Sequence, residues 1–326
     1  MKISTLWESV GNTPLLRIGT LSKRTGNEVL GKAEFMNPGG SIKDRAAKGM
    51  IRTAEEKGLL KPGATIVEGT AGNTGIGLAL LGRERGYRVV VTMPDNQARE
   101  KYEFLEAMGA EVRKVPVVPF ANENHFFHAA RKLSEQNGWW WANQFENTAN
   151  ADIHAETTAE EIWQQCDGKV DIVVASCGTG GTLGGVSSAL KKKNPKLEVV
   201  LVDPFGSGLY SYVREGKVET TGGSITEGIG IMRITENFKR AVVDRAMRVS
   251  DQEMIEMLYH LAREDALVVG TSAALNVRAA YELARERPNQ NLRIVTFLCD
   301  HGSRYASKIF NPDFLASKSL VVKPLP

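Results

Sequence analysis

Twice in this chain an apolar run ends in a glycine-rich loop and passes directly into a helical pattern. Thr65-Ile66-Val67 leads to Thr70-Ala71-Gly72-Asn73-Thr74-Gly75, and Asp171-Ile172-Val173-Val174-Ala175 leads to Gly178-Thr179-Gly180-Gly181-Thr182. The same alternation runs through most of the sequence. Helical patterns cover 75–85, 97–108, 182–192, 251–264 and 274–287, and strand patterns cover 65–68, 87–93, 111–118, 171–175, 197–202 and 292–298. Strands separated by helices of this length pair in parallel, with helices on both faces of the sheet. The strand runs are apolar throughout rather than alternating, as expected where both faces are covered. The predicted fold class is therefore α/β, with two three-layer αβα units and mostly parallel sheets. A length of 326 residues agrees with two domains at roughly 150 residues each. The boundary is expected near 147–151.

Apolar residues make up 42% of the chain and charged residues 24%, with a formal charge of +3. That balance favours neither nucleic acid nor a membrane surface as partner. The run Lys191-Lys192-Lys193 reads as a helix C-terminus, where cations are favoured. Cys166, Cys177 and Cys299 match no zinc spacing and form no disulfide framework. Cys177 and Cys299 sit in apolar runs, as small core residues do. No metal site is expected, His125 and His128 included, because Phe126 and Phe127 mark their segment as packed. The N-terminus carries no apolar signal region, and no apolar run reaches the ~20 residues of a membrane helix. A cytoplasmic location is the expectation.

Lys43 follows Asn37-Pro38-Gly39-Gly40-Ser41-Ile42. One reading makes Ser41 an N-cap with Asp44 completing a capping box, and Lys43 a surface residue of the first turn. The other notes that a cation there faces the positive end of the helix dipole, which lowers its pKa. A neutral amine is what imine chemistry requires. The loop Gly178 to Thr182 offers backbone amides and two hydroxyls at a helix start, a cradle suited to a terminal phosphate. It is neither a P-loop nor a dinucleotide fingerprint: Leu183 holds the third glycine's place, and the nominal ribose acid Asp203 is followed by Pro204. Thr70, Asn73 and Thr74, with their loop amides, suit a carboxylate.

These residues, in this order, resemble the cysteine synthase and cystathionine β-synthase family of fold-type-II pyridoxal-phosphate enzymes, which are tryptophan synthase β-like in architecture. The resemblance runs from Val10-Gly11-Asn12-Thr13-Pro14-Leu15 through Asn143-Gln144-Phe145, Glu227-Gly228-Ile229-Gly230 and Gly270-Thr271-Ser272 to Gly302-Ser303-Arg304-Tyr305. It implies pyridoxal 5'-phosphate as cofactor. Lys43 would form the Schiff base, and Gly178, Thr179, Gly180, Gly181 and Thr182 the phosphate cup. Asn73 would lie beside the ring oxygen and Ser272 beside the pyridine nitrogen. Thr70, Ala71, Gly72, Thr74 and Gln144 would form the substrate site. A smaller domain over 40–150 would carry the substrate loop, and 1–39 with 151–326 the phosphate cup. The resemblance also implies a homodimer.

The activity implied is β-replacement, making cysteine from O-acetylserine and sulfide, or β-elimination of cysteine to pyruvate, ammonia and hydrogen sulfide. Two positions depart from the family. Many members have serine at Ala71, and the frequent Ser-Ser-Gly-Glu-Arg-Tyr reads Asp300-His301-Gly302-Ser303-Arg304-Tyr305. His301 is thereby a candidate polar site residue. A nicotinamide oxidoreductase and a non-catalytic ligand-binding regulator are the competing readings. The failed fingerprint speaks against the first, and intact Lys43, Asn73 and Ser272 against the second.

Overall fold

A computed structural model describes residues 4–325. The chain opens with β1 (Leu15–Arg17), α1 (Gly19–Thr25), β2 (Glu28–Lys32) and α2 (Lys43–Glu56). It continues through β3 (Thr65–Gly69), α3 (Asn73–Glu84), β4 (Arg88–Pro94), α4 (Arg99–Ala107), β5 (Glu111–Val115), α5 (Phe126–Asn137) and β6 (Trp140–Trp141). Next come α6 (Ala149–Ile153), a single π turn (His154–Thr158), α7 (Ala159–Gln165), β7 (Ile172–Ser176), α8 (Gly181–Lys193), β8 (Glu198–Pro204) and α9 (Leu209–Glu215). The last elements are β9 (Arg245–Val249), α10 (Asp251–Glu264), α11 (Thr271–Glu286), β10 (Arg293–Phe297) and α12 (Pro312–Ser317).

Two sheets result. The smaller has strand order β5-β4-β3-β6 and is parallel throughout. The larger has order β1-β2-β10-β7-β8-β9 and is parallel except where β1 meets β2. Successive side chains of a strand point to opposite faces, and both faces are filled. Ile172 and Val174 of β7 join one core cluster with residues of α10 and α11. Val173 and Ala175, between them, join another with residues of α7 and α8. In the smaller sheet Ile66 and Val67 likewise face separate clusters. This double burial explains the unbroken apolar runs. The edge strands differ, as edges do: β5 has only exposed and half-buried residues, among them Glu111, Arg113 and Lys114.

Local signals set several boundaries. Ser250 caps α10 in a capping box with Glu253. α8 ends at Lys191, Lys192 and Lys193. Start signals near Lys43 read differently from the expectation. Ser41 is not the cap residue and no capping box forms, because Asp44 turns back to accept from the Gly39 N–H at 2.5 Å. The turn before α2 is instead pinned by tertiary contacts. Ile42 N–H donates to the Cys299 carbonyl at 2.8 Å, and Ser41 bridges to Asp300.

Candidate active site

The glycine loops follow the carboxyl ends of β3 and β7, the side of an α/β sheet where ligands bind. Between them lies a cavity of about 490 Å³. Its wall contains Lys43, Thr70, Ala71, Gly72, Asn73, Thr74 and Gln144, together with Gly178, Thr179, Gly180, Gly181, Thr182 and Ser272. All the residues singled out in the sequence as site candidates are thus brought together, except His301. The ring of His301 turns to Ser303 Oγ at 2.8 Å, and it is not among the cavity-lining residues. Asp203 offers no ribose site either: it is buried and accepts from the Tyr210 N–H at 2.9 Å.

Lys43 opens α2 and faces the cavity. Its start is packed against α3 at Gly77, where an added Cβ would lie 3.1 Å from the Lys43 carbonyl oxygen. Burial pushes the Lys43 amine below its ordinary pKa, against the opposing pull of Cys299, Cys177 and Asp300. This overrides the surface-residue reading. The shift is toward the neutral form, the one that attacks a carbonyl carbon.

The loop before α8 is shaped by close contact. Gly180 has φ +88°, and a Cβ there would lie 2.5 Å from the Phe238 nitrogen. At Gly178 a Cβ would meet the Gly228 carbonyl oxygen at 2.2 Å, and at Gly181 the Asn150 Oδ1 at 2.0 Å. At Gly178 and Gly180 the close atoms are backbone, so only glycine fits, and the Gly181 N–H at the start of α8 donates to Thr179 Oγ1 at 3.4 Å. Asn150 Nδ2 donates to Thr179 Oγ1 at 2.9 Å. His154, in the π turn, contacts Thr182 Oγ1 through Nε2 at 3.2 Å and Thr158 Oγ1 through Nδ1 at 2.9 Å. Burial, with Arg45 and Lys43 adding to it, drives the pKa of His154 well down, so the ring is neutral. A neutral ring donates from one nitrogen and accepts at the other, and here each nitrogen has one hydroxyl. This cradle fits a phosphate, and with Lys43 on the same cavity it fits an aldehyde-bearing phosphate cofactor.

The Thr70 to Thr74 loop is equally tied down. Thr70 Oγ1 accepts from the Gly72 N–H at 3.0 Å, Thr74 Oγ1 donates to Gln144 Oε1 at 2.5 Å, and Gln144 Nε2 donates to the Gly69 carbonyl at 3.0 Å. Beneath it Glu68 is wholly buried, and burial raises its carboxyl to about 8 despite amide donors from Gln144 and Asn143.

Several lining residues carry no signal of their own in the sequence. Cys299 lines the cavity rather than simply filling core. Burial lifts its thiol to about 12 while Ser272 pulls the other way, and Asn276 Nδ2 lies 3.4 Å from its sulfur. Arg233 stacks on Phe120, Phe127 and Phe145, its guanidinium 4.5, 4.8 and 5.0 Å from their ring centres, and pairs with Glu146. Lys101 pairs with Glu227 at 2.5 Å, joining α4 to the loop of Gly228. His125 caps α5 and also borders the cavity, with burial first and then His128 and Arg233 lowering its pKa to about 4. The Glu227 motif was visible in the sequence; the partners it would find were not.

A doubly sheeted α/β fold with a half-buried lysine on the same cavity as a glycine cradle defines a cofactor-dependent enzyme of the fold-type-II kind. The chain belongs to the family described as pyridoxal-phosphate dependent enzyme, which matches residues 6–300. It is 48% identical over 324 residues to cysteine synthase 1 of Emericella nidulans, covering 98% of this chain and 87% of that one. It is 49% identical to cysteine synthase 1 of Neurospora crassa, covering 96% and 85%. Among solved structures, O-ureido-L-serine synthase superposes with a TM-score of 0.87 at 32% identity, covering 97% of this chain and all (100%) of that one. A hydrogen sulfide-producing enzyme from Fusobacterium nucleatum gives 0.86 at 32%, covering 93% and 100%.

Proposed function

We propose that this enzyme makes cysteine from O-acetylserine and sulfide by pyridoxal-phosphate-dependent β-replacement. The single observation that carries the reading is Lys43, an amine pushed toward neutrality on the wall of the cavity that also holds the glycine cradle. The names of the fungal relatives, cysteine synthase 1, supply the product, and O-acetylserine and sulfide are the substrates the family resemblance implies. When bound, the cofactor supplies an electron sink that acidifies the Cα–H of an amino acid joined to it. The chain does the rest. The amides and hydroxyls of Gly178 to Thr182 bind the phosphate at the N-terminus of α8. Lys43 Nζ would hold the aldehyde carbon, and its free amine would accept the Cα proton as general base. Thr70, Gly72, Thr74 and Gln144 take the substrate carboxylate. Ser272 would present a hydroxyl, not a carboxylate, to the pyridine nitrogen and would not keep it protonated, a setting suited to loss of a β-substituent rather than transamination. The walls formed by Phe120, Phe127 and Phe145 limit water, which would otherwise divert the reaction to pyruvate.

A second reading, cysteine desulfhydrase, is favoured by Ala71, which leaves the substrate loop without a hydroxyl beside the leaving group. The Fusobacterium neighbour, named for hydrogen sulfide production, supports it. Division into a unit of 40–150 and a unit of 1–39 with 151–326 is part of this proposal, supported by the two separate sheets. So are a homodimer and a cytoplasmic site of action; among the described residues no helix is long and apolar enough to cross a membrane. The purified protein is expected to be yellow, and borohydride to fix the label on Lys43. Lys43→Ala is expected to lose turnover while retaining phosphate-dependent cofactor binding. Normal elimination by that variant would refute the base assignment. Comparing sulfide release from cysteine with cysteine formation from O-acetylserine, at steady state, separates the two activities.

A further inference from the structure

Asn73 is the first residue of α3 and borders the cavity. Both ends of its amide are taken by the loop that follows β10. Asn73 Nδ2 donates to Asp300 Oδ2 at 2.6 Å, and Arg304 Nη1 donates to Asn73 Oδ1 at 2.6 Å. Asp300 is wholly buried, and the same Oδ2 also accepts from the Tyr305 hydroxyl at 2.6 Å. Its Oδ1 has no hydrogen-bond partner among the described residues. Room for that carboxylate exists because residue 270 is glycine, where a Cβ would lie 2.1 Å from Asp300 Oδ1. Arg304 is fixed in turn by the Gly39 carbonyl.

A carboxylate only accepts and a guanidinium only donates. Between them an amide has one orientation: oxygen to Arg304, nitrogen to Asp300. Its oxygen is then turned to Arg304 and its nitrogen keeps one N–H. Asn73 can therefore present that N–H to a ligand as a donor. Resting on the pyridoxal-phosphate reading above, we propose that Asp300 and Arg304 are positioning residues that lock Asn73 as a one-way donor to the deprotonated 3-oxygen of the cofactor ring. This gives a use to the departure of Asp300 from the serine frequent at its position. A serine hydroxyl can donate or accept, and would leave Arg304 alone to set the orientation of the amide.

The test uses the full-length protein with its cofactor removed and pyridoxal 5'-phosphate added back. Wild type must first bind it and show a visible band; failure there sinks the cofactor reading rather than this one. Asp300→Ala is then expected to weaken cofactor binding about tenfold, the scale of one hydrogen bond to a charged group. It is also expected to shift the ratio of the two absorption bands toward the form with a protonated 3-oxygen. Asp300→Asn, whose amide oxygen can still accept from Asn73, should recover most of the binding. In an Asn73→Ala background the Asp300→Ala change should move neither the band ratio nor the affinity further. A wild-type band ratio in Asp300→Ala, or an undiminished effect in the Asn73→Ala background, overturns the proposal. If Asp300→Ala does not fold, judged by its melt without cofactor, Arg304→Gln is read in the same cycle with the same expectations.

Discussion

Single side chains in this protein are set by burial more than by their neighbours in sequence. Glu68 keeps its proton in the folded chain up to about pH 8, whereas its ordinary pKa is 4.5. Below the lower value both folded and unfolded chains hold the proton. As pH rises between the two, only the unfolded chain gives it up, so stability is lost through that window and levels off above it. Glu68→Gln, which mimics the protonated acid, is expected to gain stability relative to wild type across that window and no further beyond it. Urea midpoints measured below, within and above the window check this. His154 shows the same control in the phosphate cradle. Its neutral ring spans Thr158 and Thr182. His154→Ala is expected to weaken cofactor affinity about tenfold, read by fluorescence titration of the cofactor-free protein.

At the scale of elements, glycines decide how closely helices approach. α8 lies against α6 and the π turn at Gly185, where an added Cβ would be 2.2 Å from the Ala151 carbonyl oxygen and 2.8 Å from the Ala155 nitrogen. Neither neighbour is a movable side-chain tip. Gly185→Ala should push α8 away and shift the cradle at its N-terminus. A loss of about 1–3 kcal/mol is expected, the range for overpacking, with weaker cofactor binding. Gly223→Ala, where nothing lies within 4 Å of the new Cβ, is the control and should change neither. Denaturation and titration of both variants distinguish them. α10 shows the opposite case, where a local signal suffices: Ser250 and Glu253 are legible as a capping box and form one.

Across the whole molecule, a buried charge network fixes α2, and so Lys43, to the rest of the chain. Arg45 is wholly buried and pairs with Glu34 and Glu161 at 2.8 and 2.7 Å. Lys32 joins Glu161 at 2.7 Å. Burial works against ionisation of Glu161, but Arg45 and Lys32 outweigh it and hold its carboxyl down at about 2. Arg45→Met would strand Glu34 without its cation in the interior. The expected loss is about 3–5 kcal/mol, seen as a lower urea midpoint with and without cofactor. Lys32, Glu34 and Arg45 lie on β2, the turn at Glu34 and α2, and their partner Glu161 lies far along the chain on α7. Nothing in any one segment announces them.

The strand runs, the glycine loops and Lys43 were readable because each rests on a local rule: double burial makes a strand apolar throughout, and a backbone pressed against its neighbours excludes a Cβ. β6, two half-buried tryptophans, has too few residues to show a period. The start of α2 misled the local reading because the Gly39 N–H takes the Asp44 carboxylate that a capping box would use. Sequence therefore determined the layers, the loops and the cofactor class. Tertiary structure alone decided that Asp300 rather than His301 meets Asn73, that His154 supports Thr182, and that Lys43 lies on a cavity wall rather than on the open surface. Each of those depends on which distant segments share a low-dielectric space, and chain order does not encode that distance.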